Sequence, residues 1–213
     1  MNIQDYYTLG SKLSSTTFQA HPIGLKSKEG GIGDNEKLVL GEYYEINFPV
    51  TFKQEYGKKL QDVLDTGTAI LFLISTKMKT ILEENELSGW KTFPVRVQDK
   101  KGNEVDGYFG FSITGRCGSI DYDKSDVIKK SLVQGGPVSK YYKGLYVGLD
   151  EWDRSDFSMP KGTFHPIVTK KAMQAMKKAK LTNIRFEKLS EIETMEIIVS
   201  SHRESISKNL TYF

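Results

Sequence analysis

The sequence predicts an α+β fold: a mixed, largely antiparallel sheet with a few short helices and two similar strand–helix–strand units. Three observations carry this. The 213 residues include 11 Tyr and 11 Phe, punctuated by 19 Gly with only 6 Pro, a composition that suits antiparallel sheet. Residues 69–74 are continuously apolar and lead through Ser75 into an amphipathic stretch, and residues 164–168 lead in the same way through Thr169. The two stretches match at an offset of 94 positions, which sets Ser75 on Thr169, Met78 on Ala172, Leu82 on Met176 and Leu87-Ser88-Gly89 on Leu181-Thr182-Asn183. Caps and periodicity of this kind are generic to strand–helix–strand units, so the match is compatible with an internal duplication without requiring one. Two copies do not make a solenoid.

In chain order, residues 11–17 are small and polar, and 26–35 form a charged, Gly-rich loop. Strands are expected at 37–40 and 43–48, with Gly41 as a turn or bulge between them. Leu60, Val63 and Leu64 at helical spacing place a short helix within 53–64. Residues 69–74 suit a strand covered on both faces. Ser75 caps a helix through Asn85 that buries Met78, Ile81 and Leu82, and Gly89 closes it in the left-handed conformation. Residues 90–97 follow as a strand, and the polar turn 99–103 reverses into a strand at 108–113 as a hairpin of unspecified register. Thr169 caps a helix over 170–179 with Ala172, Ala175, Met176 and Ala179 inward and lysines outward. A strand returns at 184–189. Ser190 and Glu193 have capping-box spacing, so a C-terminal helix carrying Ile192, Met195 and Val199 is expected; a strand over 195–199 is the alternative. The organisation is one domain over 1–213: an N-terminal extension (1–65) packed on a core (66–189), then a C-terminal helix and tail (190–213).

Composition excludes several function classes. Lys plus Arg is 30 and Asp plus Glu 27, a net charge of +3, too balanced to imply nucleic acid or an anionic membrane. The longest apolar run is far short of the roughly 20 residues that span a bilayer. The first residues lack the layout of a secretory signal, and a cytoplasmic location is expected. Cys117 has no partner for a disulfide. His21, His165 and His202 are widely separated, so neither a metal nor any other cofactor is expected.

No motif assembles a catalytic apparatus. Gly30-Gly31-Ile32-Gly33 is followed by a strand pattern instead of the helix a phosphate cradle requires. Cys117 has no protease signature around it, and buried inert thiols are common. The lysines of 170–180 lack the stacking aromatics of a nucleic-acid surface and read as a solvated helix face. The acidic runs 121–126 and 150–156 do not have EF-hand spacing. Both place an aromatic among carboxylates, the composition of a binding surface.

The segments Leu181-Thr182-Asn183-Ile184-Arg185-Phe186, Trp90-Lys91-Thr92-Phe93-Pro94-Val95, Ile120-Asp121-Tyr122-Asp123-Lys124-Ser125 and Ser155-Asp156-Phe157 together resemble a bacterial family of immunity proteins from polymorphic toxin systems, first catalogued as a domain of unknown function. The resemblance spans about residues 69–189. It implies an intracellular protein that binds and neutralises a cognate toxin encoded next door, and it implies no active site. On that reading the candidate partner-binding residues are Asp121, Tyr122, Asp123, Asp150, Trp152, Asp153 and Asp156, an acidic face suited to a basic toxin. Nucleic acid and membrane are not expected partners. The alternative is a small-molecule or nucleotide-modifying enzyme that uses the same acidic clusters.

Overall fold

The computed structural model describes residues 3–12, 14–26, 33–68, 70–131, 133–148, 151–163 and 165–195. Its first part contains β1 (Tyr6–Ser11), β2 (Gln19–Ile23), α1 (Asp34–Leu40), β3 (Val50–Tyr56), β4 (Val63–Asp65), β5 (Phe72–Ser75) and α2 (Thr76–Glu84). The middle contains β6 (Trp90–Phe93), β7 (Val95–Gln98), β8 (Tyr108–Ile113), β9 (Gly115–Cys117), β10 (Asp126–Lys130) and β11 (Ser139–Lys143). The last part contains β12 (Phe157–Pro160), β13 (Ile167–Thr169), α3 (Lys170–Lys178), β14 (Ile184–Lys188) and β15 (Glu193–Thr194). The fold is α+β with mostly antiparallel sheets.

The offset of 94 reappears in three dimensions. One sheet has the order β4-β5-β8-β6, and the other runs β14-β1-β13-β12-β9. Read from β12 to β14, the second repeats the first strand for strand. The registers agree: Val63 pairs with Ile74 and Phe157 with Val168. Ser75 lies opposite Tyr108 and Thr169 opposite Tyr6. Trp90 lies opposite Ile113 and Ile184 opposite Ser11. The halves differ in where one strand comes from. β8 follows β6 along the chain, whereas β1 reaches the corresponding slot from the N-terminus. The first 65 residues, expected to be an extension, thus supply a strand inside the second sheet.

Two buried aspartates join the halves. Asp62, just before β4, accepts from Ser75 Oγ at 2.9 Å, and from the Thr182 backbone N–H and hydroxyl at 2.8 and 2.9 Å. Asp156, just before β12, accepts from Thr169 Oγ1 at 2.7 Å, and from the Ser88 N–H and hydroxyl at 3.1 and 3.4 Å. Ser75 and Thr169 are also the helix caps, accepting from Met78 N and Ala172 N. Each aspartate therefore holds the cap of its own half and the turn after the other half's helix. Lys77 and Lys171 stand 3.7 and 3.6 Å from the two carboxylates. The turn is closed by left-handed Gly89 (φ 82°) in one half and Asn183 (φ 61°) in the other. A side chain on Gly89 would collide with the Phe157 carbonyl, whereas Asn183 Nδ2 donates to the corresponding Val63 carbonyl at 2.7 Å. The main apolar core, including Phe52, Leu64, Ile74, Met78, Leu82, Phe111, Phe157 and Met176, spans both halves.

The cap–helix–turn–strand units stand as expected, and other elements are corrected. Residues 37–40 are part of α1: Gly33 precedes its first turn, Asp34 and Glu36 sit at the positive end of its dipole, and left-handed Gly41 closes it. Residues 43–48 form turns; Tyr43 and Ile46 pack on the core while Tyr44 faces solvent. The helix expected within 53–64 is absent, since β3 buries alternate residues Val50 and Phe52 between β2 and β7, and Leu60 is exposed. Residues 90–97 split at Pro94, which has no N–H for a ladder. β6 joins β8, and β7 instead pairs in parallel with β3. The expected reversal through 99–103 does bring 90–93 and 110–113 into antiparallel pairing, and next to the turn itself it closes one bridge, between Gln98 and Glu104. The helix expected after Ser190 is replaced, in its described part, by β15, which pairs with β11. Ser190 Oγ is hydrogen-bonded to Gln4. Val199, Phe164 and Gly30 to Ile32 lie outside the described residues.

Replacing Asp62 by Ala is expected to lower the unfolding free energy by about 2–4 kcal/mol, the cost of unpaired buried donors at Ser75 and Thr182. A urea titration measures this directly. Burial opposes ionisation of Asp62, but the hydrogen bonds from Thr182 and Ser75 and the charge of Lys77 outweigh it and hold the carboxyl below its ordinary value. Its stabilisation is therefore complete above the ordinary carboxylate range and is lost as pH falls through the depressed value. The advantage of the native chain over Asp62→Asn should shrink between about pH 7 and about pH 3.

Candidate functional site

A second, smaller core packs on the outer face of the second sheet, which contributes Cys117 from β9 and Ile167 from β13. Ile3, Cys117, Leu145, Val147, Ile167, Leu189 and Ile192 form it, with Tyr6, Tyr122, Tyr146 and Trp152 against it. The three-stranded sheet β10-β11-β15 extends from this small core.

The structure gathers part of the predicted acidic surface here. Asp121 precedes the 3-10 turn Tyr122–Lys124 and pairs with Lys124 at 2.8 Å. The Lys124 hydrogen bond and charge hold the Asp121 carboxyl below its usual value against slight desolvation. Asp123 is exposed. Tyr122 is half-buried, its ring 4.7 Å from that of Tyr142, and Trp152 meets Tyr6 edge-on at 5.5 Å. The two aromatics of the acidic runs thus sit on one small core. Asp153 accepts from the backbone N–H groups of Arg116 and Ser155, both at 2.9 Å. Burial opposes its ionisation, and the hydrogen bonds from Ser155 and Arg116 overcome it and lower the pKa. Asp156 is buried in the clamp described above and stands apart from this surface. Asp150 lies outside the described residues.

Sequence reading missed the β10–β11 hairpin. Val127, Val133, Val138 and Met195 on and beside this sheet are exposed by half or more. Lys130 pairs with Glu193 at 2.6 Å and lies over the Tyr141 ring. β10 is an edge strand. Ile128 following Val127 and Lys130 following Lys129 blur the alternation that marks a strand. The usable signal was Gly135-Gly136-Pro137 between two β-prone runs.

A groove opens beside this module on the outer face of the second sheet. It has a volume of about 540 Å³, and its lining includes Thr8, Gly10, His165, Arg185, Glu187 and Thr194. Burial lowers the His165 pKa, favouring the neutral ring. The corresponding face of the first sheet is filled by the chain itself. There Ser112 is hydrogen-bonded to the Leu38 carbonyl and to Tyr43, Phe93 packs against Gly110 and Tyr43, and Lys91 lies 4.1 Å from the Tyr43 ring centre.

The other flagged groups have structural surroundings. Burial raises the Cys117 thiol pKa. His21 lies on β2, its Nδ1 2.6 Å from Glu55. On the lysine-rich helix, Lys170 reaches Asp5 at 3.1 Å and Lys177 lies over Phe186. Among the described residues no group of three or more His, Cys, Asp or Glu is placed to hold a metal, and no helix is long and apolar enough to cross a membrane.

The model of the immunity protein family Imm11 matches residues 11–191. The chain belongs to the Imm11 immunity protein family. The match extends well before residue 69, where the resemblance seen in the sequence began. It takes in both clamp aspartates, most of the small core, and His165, Arg185 and Glu187 of the groove, and it stops short of Ile3, Tyr6, Thr8, Gly10, Ile192 and Thr194. No curated protein sequence matches the chain.

The environment of Cys117 gives one test of this packing in the family member. With its thiol buried and its pKa raised, Cys117 should resist a thiol reagent such as DTNB in the native chain at about pH 8. It should react stoichiometrically in about 6 M guanidinium. Rapid labelling without denaturant would contradict the burial of the small core.

Proposed function

We propose that this immunity-family chain binds a cognate bacterial toxin and neutralises it by contact, with no cofactor and no chemical turnover of its own. The family match over residues 11–191 carries the reading. The surface of the small core supports it. Exposed apolar side chains at Val127, Val133, Val138 and Met195 collect around one three-stranded sheet, as expected of an interaction surface. Tyr122 and Trp152 provide partly buried, preorganised aromatics beside it, and Tyr and Trp are enriched among binding anchors.

The proposed contact set is Asp121, Tyr122, Asp123, Trp152 and Asp153, joined by Val127. Asp150 remains in the proposal on sequence grounds. Asp156 is left out because its carboxylate is committed to the clamp. The exposed acids at Asp123 and Glu151 favour a basic patch on the toxin, which speeds encounter and fixes orientation more than it adds affinity. The toxin is proposed to be encoded by the neighbouring gene, with the encounter in the cytoplasm.

The test is co-expression with the toxin domain of the neighbouring open reading frame, scored for growth and for a copurifying complex. Rescue with a stable complex is expected; toxicity unchanged with no complex defeats the reading. Within a confirmed complex, Val127→Asp should weaken binding by about tenfold or more, as for a desolvated interface position. The double variant Asp123→Lys, Glu151→Lys should chiefly slow association and reduce its dependence on salt. Stopped-flow association rates at low and high salt report this.

A further inference from the structure

The halves share strand order and register, yet their outer faces are treated differently. At matched positions the first sheet presents Gly110, Ser112, Lys91 and Phe93, and the second presents Thr8, Gly10, Arg185 and Glu187. In the first half α1 and the turn after it lie across these positions. Leu38 receives the Ser112 hydroxyl, and the ring of Tyr43, beside Glu42, sits under the Lys91 ammonium. In the second half the small core covers Ile167 on this face, and the rest stays open as the groove of about 540 Å³. The Arg185 guanidinium lies along the Gly10 backbone, with its nitrogens 3.6 and 3.7 Å from where a Cβ would stand. Arg185 is exposed and has no ion-pair partner among the described residues.

We infer that this groove is a toxin-docking site that receives a loop carrying an aromatic side chain next to a carboxylate, the aromatic in the place that Tyr43 holds in the other half. The inference rests on the toxin-binding reading above and names a second contact region for the same partner. An arginine suits this occupant for two reasons. Its planar cation stacks on an aromatic face, and its fork of donors meets a carboxylate in a bidentate pair. Gly10 beneath it lets the guanidinium lie close to the sheet, and Arg185 is exposed. β15 forms one rim of the groove and belongs to the sheet with the exposed valines, so one partner can engage both regions.

The experiment uses the full chain and the toxin domain recovered in the co-expression test. Arg185→Glu should retain the native melting temperature, because Arg185 is exposed, and should weaken toxin binding by about tenfold or more, as for an interfacial arginine anchor. Phenylglyoxal labelling mapped by mass spectrometry supplies a second readout independent of any variant. Arg185 should be modified in the free chain and protected in the complex. If the wild type binds and Arg185→Glu binds equally well, the groove proposal is overturned and toxin binding stands. If Arg185 is already shielded in the free chain, the groove is occupied by this chain or a second copy and the proposal also falls. If the wild type binds no toxin, both readings fall together.

Discussion

Asp62 and Asp156 each do two jobs with one carboxylate. One oxygen fixes the hydroxyl that caps the helix of its own half, and the other holds the turn that ends the helix of the other half. A buried carboxylate is costly unless its lone pairs are filled. Here hydroxyl and backbone donors fill them, with a lysine at the rim of each site. The crosswise arrangement sets the two helices against each other and gives both sheets a common reference.

Having two matched halves also explains how one fold can be both closed and open. The inward faces are alike, because both must bury apolar residues against the same core. The outward faces are free to differ. The first is sealed by α1, whose Leu38 and Val39 are fully or nearly fully buried. The second carries Thr8, Arg185 and Glu187 at positions where the first has Gly110, Lys91 and Phe93. Replacing a phenylalanine by a glutamate at one such position removes the reason to cover the face with the chain's own apolar segment. An outward face left uncovered in this way leaves the shared core undisturbed.

Much of the candidate site was legible as composition and little of it as geometry. Tyr122 and Trp152 were recognised as aromatics among acids, and the structure sets both on the small core. Asp156 looked like a surface acid because its neighbours in sequence are charged. Its hydrogen-bond partners, Ser88 and Thr169, lie far away or across a strand pair, and no local pattern announces them. Arg185 lies within a cap–helix–turn–strand motif, and its exposure depends on the absence of a covering segment, which no local pattern shows. The β10–β11 hairpin escaped notice because mixed exposure on both faces erases the period of two.

What the sequence by itself determined is the pair of cap–helix–turn–strand units. Ser75 and Thr169 act on backbone groups three residues ahead, the apolar stripes need a few turns of helix, and Gly89 and Asn183 take the left-handed conformation locally. All of that chemistry operates within about a dozen residues. Tertiary structure alone decided the rest. It turned residues 37–40 into helix where a sheet face needed cover. It split residues 90–97 between two sheets at a proline and placed the N-terminal strand β1 in the slot that β8 fills in the other half. It also drew residues 193–194 onto β11. The partners of β7, β15 and β1 lie from 45 to more than 150 residues away, and the same apolar residues are compatible with several pairings until the core chooses one.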